Sequence, residues 1–150
     1  MTRILHLSDL HFGYHREVLV DPLLQRVNAA RADLVVVTGD LTHRGRPEQY
    51  TQAADFLSRI SAPLMAVPGN HDVPLYNFLV RFFRPYGEYD RQISPDREPT
   101  RTACRVRVFG VNSVDPLSWQ RGAIRPDDIT RITASLAKPE INIVALHHPL

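Results

Sequence analysis

Cysteine is nearly absent from this 150-residue chain, and so are long apolar runs and any large excess of one charge. Because Cys104 is the single cysteine, no internal disulfide or thiolate metal cluster can form, which excludes a disulfide-stapled secreted scaffold. The 18 basic and 16 acidic residues leave a net charge of only +2. This argues against a dedicated nucleic-acid binder. The opening residues turn polar too soon for a signal peptide and no stretch approaches the length of a membrane span, so we expect a cytoplasmic protein of one domain, residues 1–150.

Short apolar runs alternate with segments of helical periodicity. Five runs predict buried strands, at Ile4–Leu7, Leu34–Thr38, Leu64–Val67, Val106–Val111 and Ile141–Leu146. Between them we predict three helices, each opened by a proline suited to the first helical turn: Pro22, Pro47 and Pro126. This alternation favours an α/β fold.

The segment 73–103 breaks the alternation and is predicted to be an insertion that leaves the sheet and returns at Arg105. Its first part, from Leu75 to Phe83, has the spacing of an amphipathic helix. Its aromatic and arginine residues have two interpretations. They could bind a nucleotide by stacking and cationic contacts. The interpretation we favour is a helix whose aromatics belong to the core.

Polar residues capable of binding metal or substrate follow the predicted strands directly. They are Asp9, His11, Asp40, His43, Asn70, His71, Asp72, Asn112, His147 and His148. Ligands of open α/β sheets bind at the carboxyl ends of the strands, so these residues are expected to converge there. Taken singly, each cluster favours a structural role, since an Asp after a strand often caps a helix and Gly-Asp or Gly-Asn often forms a turn. Their joint order and placement favour a functional site.

The order of these motifs resembles that of the calcineurin-like metallophosphoesterases, and most closely the bacterial branch that contains the class III cyclic-nucleotide phosphodiesterases. The motifs are Asp9-x-His11, Gly39-Asp40, Gly69-Asn70-His71-Asp72 and His147-His148-Pro149. The resemblance spans essentially the whole chain. It implies a four-layer α/β/β/α sandwich, a two-metal site and the hydrolysis of phosphate esters.

The resemblance also implies a division of labour within the site. Asp9, His11 and Asp40 would hold one metal, with Asp40 bridging to the second. Asn70 and His147 would help to hold that second metal, while His71 would face the substrate phosphate.

Two further inferences come from the chemistry of these residue types. Oxygen and imidazole ligands without a thiolate suit two divalent ions such as Mn²⁺ or Fe²⁺/Fe³⁺, with Zn²⁺ as an alternative. Because Asp9 and His11 are one residue apart, both reach the same ion only if the loop bends sharply.

Four more residues are expected near the reaction. We expect Asp72 to orient the His71 ring, which would serve as the catalytic acid. His43 would line the mouth of the site, with an exposed loop position as the alternative. Asn112 and His148 are expected to contact substrate or to support the ligands, and for His148 a plain packing role is the alternative.

The family pattern continues to a Gly-His-x-His motif that completes both metal shells, and this sequence contains no such motif. We therefore expect a C-terminally incomplete sandwich with each metal one protein ligand short. The function we favour is a phosphodiesterase acting on a cyclic nucleotide or a similar small diester. The alternatives are a nuclease-like or nucleotide-pyrophosphate hydrolase, and a catalytically impaired protein-binding module.

Overall fold

The computed structural model describes residues 1–118, 121–136 and 141–149. These residues form five helices: α1 (Val20–Ala29), α2 (Pro47–Ser58), α3 (Phe78–Phe83), α4 (Gly87–Gln92) and α5 (Pro126–Ser135). They also form six strands: β1 (Ile4–Leu7), β2 (Leu34–Thr38), β3 (Leu64–Val67), β4 (Thr100–Ala103), β5 (Val106–Gly110) and β6 (Ile141–Ala145). Among the described helices, none combines the length and the apolar character needed to cross a bilayer. The predicted α/β class is confirmed.

The first sheet is parallel, in the order β1-β2-β3, and its central strand β2 is buried on both faces. Side chains alternate along a strand with a period of two, so the apolar run of β2 serves two cores. Val35 and Val37 pack into one cluster, with residues of α1 and α2. Leu34 and Val36 pack into the other, with Val108 of the second sheet.

The second sheet has the order β4-β5-β6, with β4 antiparallel and β6 parallel to β5. Val106 and Val108 face the first sheet. Arg107, which lies between them, therefore points outward, and its guanidinium donates to the main-chain oxygen of Ser135 in α5 at 2.9 Å. The layers therefore run α1 and α2, first sheet, second sheet, α5, as the four-layer α/β/β/α prediction requires.

The insertion predicted at 73–103 differs from the structure at its end and in its aromatics. Residues Thr100–Ala103 form β4 and pair with β5, so the chain has rejoined the sheet before Arg105. The expectation that the aromatics are core is right for Tyr86 and Tyr89 and wrong for α3, which leaves Phe82 exposed. A six-residue helix has too few turns to bury a full apolar stripe.

Parallel pairing brings the loops after β1, β2 and β3 to one edge of the first sheet. The loops after β1 and β2 are tied by main-chain hydrogen bonds, from Phe12 N to Leu41 O at 2.9 Å and from His43 N to Phe12 O at 3.0 Å. The chain leaving β6 reaches the same edge, where His147 Nδ1 lies 2.9 Å from Thr38 O. Three loops of the first sheet and the segment after β6 of the second sheet thus meet at one place.

A buried carboxylate joins the loop after β2 to the loop after β3. Asp72 accepts hydrogen bonds from the amides of Leu41 at 3.2 Å, Thr42 at 2.8 Å and Gly69 at 2.9 Å. The Thr42 hydroxyl adds a fourth at 3.1 Å, and the Tyr50 hydroxyl donates to the main-chain oxygen of Asp72. Burial raises the pKa of Asp72 to about 6, against the hydrogen bonds from Gly69 and Thr42, which lower it.

Asp72→Ala should therefore destabilise the fold, because it leaves three buried amides without their acceptor. We expect the free energy of unfolding to fall by about 3 kcal/mol or more, measured by urea denaturation of metal-free protein. The matched control is Asp55→Ala, which removes an exposed α2 carboxylate that pairs with Arg59 and should change stability by less than about 0.5 kcal/mol. Equal losses in the two variants would contradict this role of Asp72.

Candidate metal centre

Three of the predicted metal ligands adopt a backbone conformation that side chains rarely take. The φ angles of Asp9, His11 and Asp40 are 56°, 47° and 51°. Left-handed backbone costs energy for residues other than glycine, and it concentrates at functional sites. Main-chain bonds between the loops hold it here, such as His11 N to Asp40 O at 2.9 Å. This is the sharp bend that the Asp9-x-His11 spacing requires.

The two oxygens of the Asp40 carboxylate face two different histidines. Oδ2 lies 3.6 Å from His11 Nε2, and Oδ1 lies 3.4 Å from His147 Nε2. Beyond His11, Asp9 Oδ1 lies 3.8 Å from the same Nε2 atom. Beyond His147, Asn70 Oδ1 lies 3.2 Å from that ring's Nε2. The five predicted ligands thus form one group around Asp40, which we call the mixed cluster.

The electrostatics of the mixed cluster favour a cation. Ligand atoms of Asp9, Asp40 and His147 lie within 4.8 Å of one another, which brings two carboxylates close together. The side chains of Asp40 and His147 are only 5% and 9% exposed, whereas Asp9 is 54% exposed and leaves one side open. Carboxylate, amide and imidazole donors are those of Mn²⁺, iron and Zn²⁺ sites, so the residues present fit divalent metal ions.

Glycines before Asp40 and Asn70 allow the two loops to approach each other. A Cβ atom on Gly39 would stand 2.7 Å from both Gly69 Cα and His147 Cγ. A Cβ on Gly69 would stand 2.3 Å from the Asp40 amide nitrogen. Neither position admits a side chain, which explains why Gly precedes each ligand.

Main-chain oxygens orient two of the histidines. Hydrogen bonds of this kind cannot be predicted from residue types. Thr38 O faces Nδ1 of His147, which directs Nε2 toward Asp40. The main-chain oxygen of His43 lies 2.6 Å from Nδ1 of His71 and so accepts a hydrogen bond from it. Donation from one ring nitrogen to a carbonyl fixes the tautomer of an imidazole and leaves the other nitrogen free.

The expectation that Asp72 orients the His71 ring is wrong. The Asp72 carboxylate binds the Leu41, Thr42 and Gly69 amides, and the ring of His71 binds the His43 carbonyl. The reason is geometric: in the 3₁₀ turn Asn70–Asp72, the amide of His71 points at Asp40 Oδ1 at 2.9 Å while Asp72 is buried beneath the loops. Asp72 acts on the site by positioning its loops.

A second cluster consists of three histidines, His11, His43 and His71, whose ligand nitrogens lie within 4.8 Å of one another. The His43 ring is stacked between two others, with His71 at 5.6 Å and Tyr14 at 4.9 Å between ring centroids. Burial, with the neighbouring His71, lowers the pKa of His43 below its usual value. His43 therefore lies beside the mixed cluster, and Tyr14, which we did not predict, extends the stack toward solvent.

Asn112 and His148 lie behind the ligands rather than among them. The Asn112 side chain contacts the Tyr86 hydroxyl at 3.1 Å and the Val114 amide at 3.1 Å. The His148 ring is buried, accepts or donates a hydrogen bond at the Ser113 hydroxyl at 2.9 Å, and packs edge-on against His147. Burial lowers the pKa of His148. His148 thus supports a residue of the mixed cluster, whereas Asn112 ties the segment after β5 to Tyr86, the residue that precedes α4.

Comparison with known proteins gives relatives along almost the whole chain. A probable cyclic nucleotide phosphodiesterase of Vesicomyosocius okutanii is 25% identical over 155 residues, covering 97% of this chain and 61% of that protein. A cAMP/cGMP dual specificity phosphodiesterase of Mycobacterium tuberculosis is 29% identical over 168 residues, covering 97% of this chain and 49% of that protein. The chain therefore spans about half to three fifths of the length of these relatives.

The fold has solved counterparts as well. A dimetal phosphatase from Danio rerio superposes with a TM-score of 0.63 at 14% identity, covering 99% of this chain and 70% of that one, which is a likeness of fold. The model of the calcineurin-like phosphoesterase family matches residues 2–150. The resemblance predicted from the motifs is thus confirmed, and the chain belongs to the calcineurin-like phosphoesterase family.

Proposed function

We propose that this protein hydrolyses small phosphate diesters, with a cyclic nucleotide as the favoured substrate, at a two-metal site on the mixed cluster. The observation that carries the proposal is the Asp40 carboxylate, whose two oxygens face His11 on one side and His147 on the other. A carboxylate so placed can bridge two ions. The cyclic-nucleotide activity in the names of two relatives supports this substrate class.

Asp9, His11 and Asp40 would hold one ion, and Asp40, Asn70 and His147 would hold the other. Mn²⁺ and Fe²⁺/Fe³⁺ are the ions that we propose, with Zn²⁺ as the alternative. Such a pair, when bound, supplies an activated water and charge stabilisation for the phosphoryl oxygens.

The residues of the chain supply orientation and a proton. His71 is held by its Nδ1 bond to the His43 carbonyl, so Nε2 is the nitrogen available to the substrate. In this proposal His71 contacts the phosphate and protonates the leaving oxygen as the general acid. Its amide bond to Asp40 Oδ1 couples the position of this acid to the bridging ligand. His43 would line the substrate side, and His148 would support His147.

Residues 1–150 serve in this proposal as one phosphoesterase domain. The segment between β3 and β4, which carries α3 and α4, is the insertion that we propose to shape the substrate side. It includes Arg97, whose guanidinium lies 4.4 Å from the Tyr86 ring centroid.

Asp40→Ala should abolish Mn²⁺ binding and diesterase activity together, because it removes the carboxylate shared by both ions. Equilibrium dialysis would measure bound Mn²⁺, and hydrolysis of bis(p-nitrophenyl) phosphate and of cyclic AMP would measure turnover. The control is Asp55→Ala, whose carboxylate lies on the surface of α2 and should leave both unchanged. Full Mn²⁺ retention in the Asp40 variant would refute the bridging role.

His71→Ala should keep Mn²⁺ bound and lower kcat by ~10²–10⁴-fold, the usual contribution of a general acid. A substrate with a better leaving group should recover part of the loss, because it needs less protonation. His15→Ala is the matched control, since His15 pairs with Glu17 outside both clusters. If the His71 variant loses Mn²⁺ as fully as the Asp40 variant, the assignment of His71 as an acid is wrong.

A further inference from the structure

The three-histidine cluster is a metal site of a different chemistry from the mixed cluster. We propose that His11, His43 and His71 bind one Zn²⁺ ion through imidazole nitrogens alone, and that this ion blocks the reaction. The proposal of a binding site depends only on the geometry of the three histidines. The blocking effect rests on the proposed function.

The distances are within reach of an ion. Zn–N bonds of 2.0–2.1 Å in a tetrahedral shell place ligand nitrogens about 3.4 Å apart, and the three nitrogens already lie within 4.8 Å of one another. Side-chain movements that shorten each separation between these nitrogens by about 1.4 Å or less would give the tetrahedral spacing. Rotation of His11 breaks no hydrogen bond at Nδ1, because that atom is buried without a partner among the described residues.

Two of the three rings are prepared for coordination. The His71 Nδ1 donates to the His43 carbonyl at 2.6 Å, the arrangement in which protein histidines usually ligate metals through Nε2. The His43 ring is held between Tyr14 and His71 in near-parallel stacks, with interplanar angles of 22° and 23°. Its backbone is fixed by the bond from its amide to Phe12 O. A held ring loses less conformational freedom on binding an ion.

The donor sets of the two clusters differ in the metals that they select. Three neutral imidazoles suit Zn²⁺ and Cu²⁺, whereas the mixed cluster adds carboxylate and amide oxygens to its two imidazoles, and such oxygens suit Mn²⁺. Three histidines also leave a tetrahedral ion one open position, which water or an anion can fill. Zn²⁺ is therefore expected at the three-histidine cluster and Mn²⁺ at the mixed cluster.

The two occupancies exclude each other through shared residues. His11 belongs to both clusters, so an ion on His43 and His71 withdraws a ligand from the mixed cluster. The same ion occupies the free nitrogen of His71, which the proposed reaction needs as its acid. Zn²⁺ should thus inhibit, and it should compete with the phosphate substrate.

Cu²⁺ is the probe for binding, because it binds imidazole most strongly among these ions and its electron paramagnetic resonance spectrum reports coordinated nitrogens. With one equivalent of Cu²⁺, we expect coupling to three nitrogens in the unaltered protein. His43→Ala should reduce this to two or fewer and weaken binding by at least ~10-fold. His71→Ala should do the same, and His15→Ala should change neither, with circular dichroism checking the fold of each variant. Two or fewer nitrogens in the unaltered protein, or an unchanged spectrum in His43→Ala, would overturn the site.

Kinetics test the blocking effect separately. Zn²⁺ added to the Mn²⁺-loaded protein should raise KM for bis(p-nitrophenyl) phosphate, and His43→Ala should raise the half-inhibitory Zn²⁺ concentration at least ~10-fold relative to that variant's own activity. Equal inhibition of both proteins would overturn the blocking effect. A protein that hydrolyses no diester would refute the proposed function, and the Cu²⁺ spectrum would still decide the site.

Discussion

The buried carboxylate of Asp72 is the contact on which the arrangement of the site depends. It binds amides from the loop after β2 and from the loop after β3, so the two loops keep one relative position. Asp40 and Asn70 lie on those loops, and the Asp40 carboxylate in turn holds the His71 amide. A buried carboxylate costs desolvation energy, which the four hydrogen bonds offset in part, since the pKa of Asp72 stays raised. A single buried acidic residue thus fixes the relative position of the loops that carry the predicted metal ligands.

The fixed position of these loops also explains where backbone strain is tolerated. Asp9, His11 and Asp40 take left-handed conformations that an isolated loop would leave. Main-chain bonds across the loops, including Asp9 N to Gly39 O at 3.2 Å, oppose that relaxation. The close approach at Gly39 and Gly69 is part of the same arrangement, since a methyl group at either position would push the loops apart. The left-handed backbone and the close packing of the loops together direct the side chains of Asp9, His11 and Asp40 toward one point.

Much of this could be predicted from sequence, and the failures share a cause. The bounds of β1, β2 and β3 match the predicted runs, because short apolar runs are a strong local signal. The β4 strand was missed because Thr100–Ala103 is mostly exposed and depends on pairing with β5. In the site, the motif order predicts that Asp9, Asp40 and His147 meet, as they do. The partner of the His71 ring and three of the four partners of the Asp72 carboxylate are main-chain groups, which residue types do not reveal.

Because His11 belongs to both clusters, the identity of the metal decides which of the two clusters is occupied. The carboxylates of Asp9 and Asp40 and the imidazoles of His43 and His71 offer this ring alternative partners. Ligand softness then decides between them, because Mn²⁺ gains more from carboxylates and Zn²⁺ more from added imidazoles. The three-histidine cluster depends on His43, a residue outside the family motifs that predict the mixed cluster. Relatives that keep those motifs but carry another side chain at this position would have the mixed cluster alone, so sensitivity to Zn²⁺ should follow this one residue across otherwise similar sites.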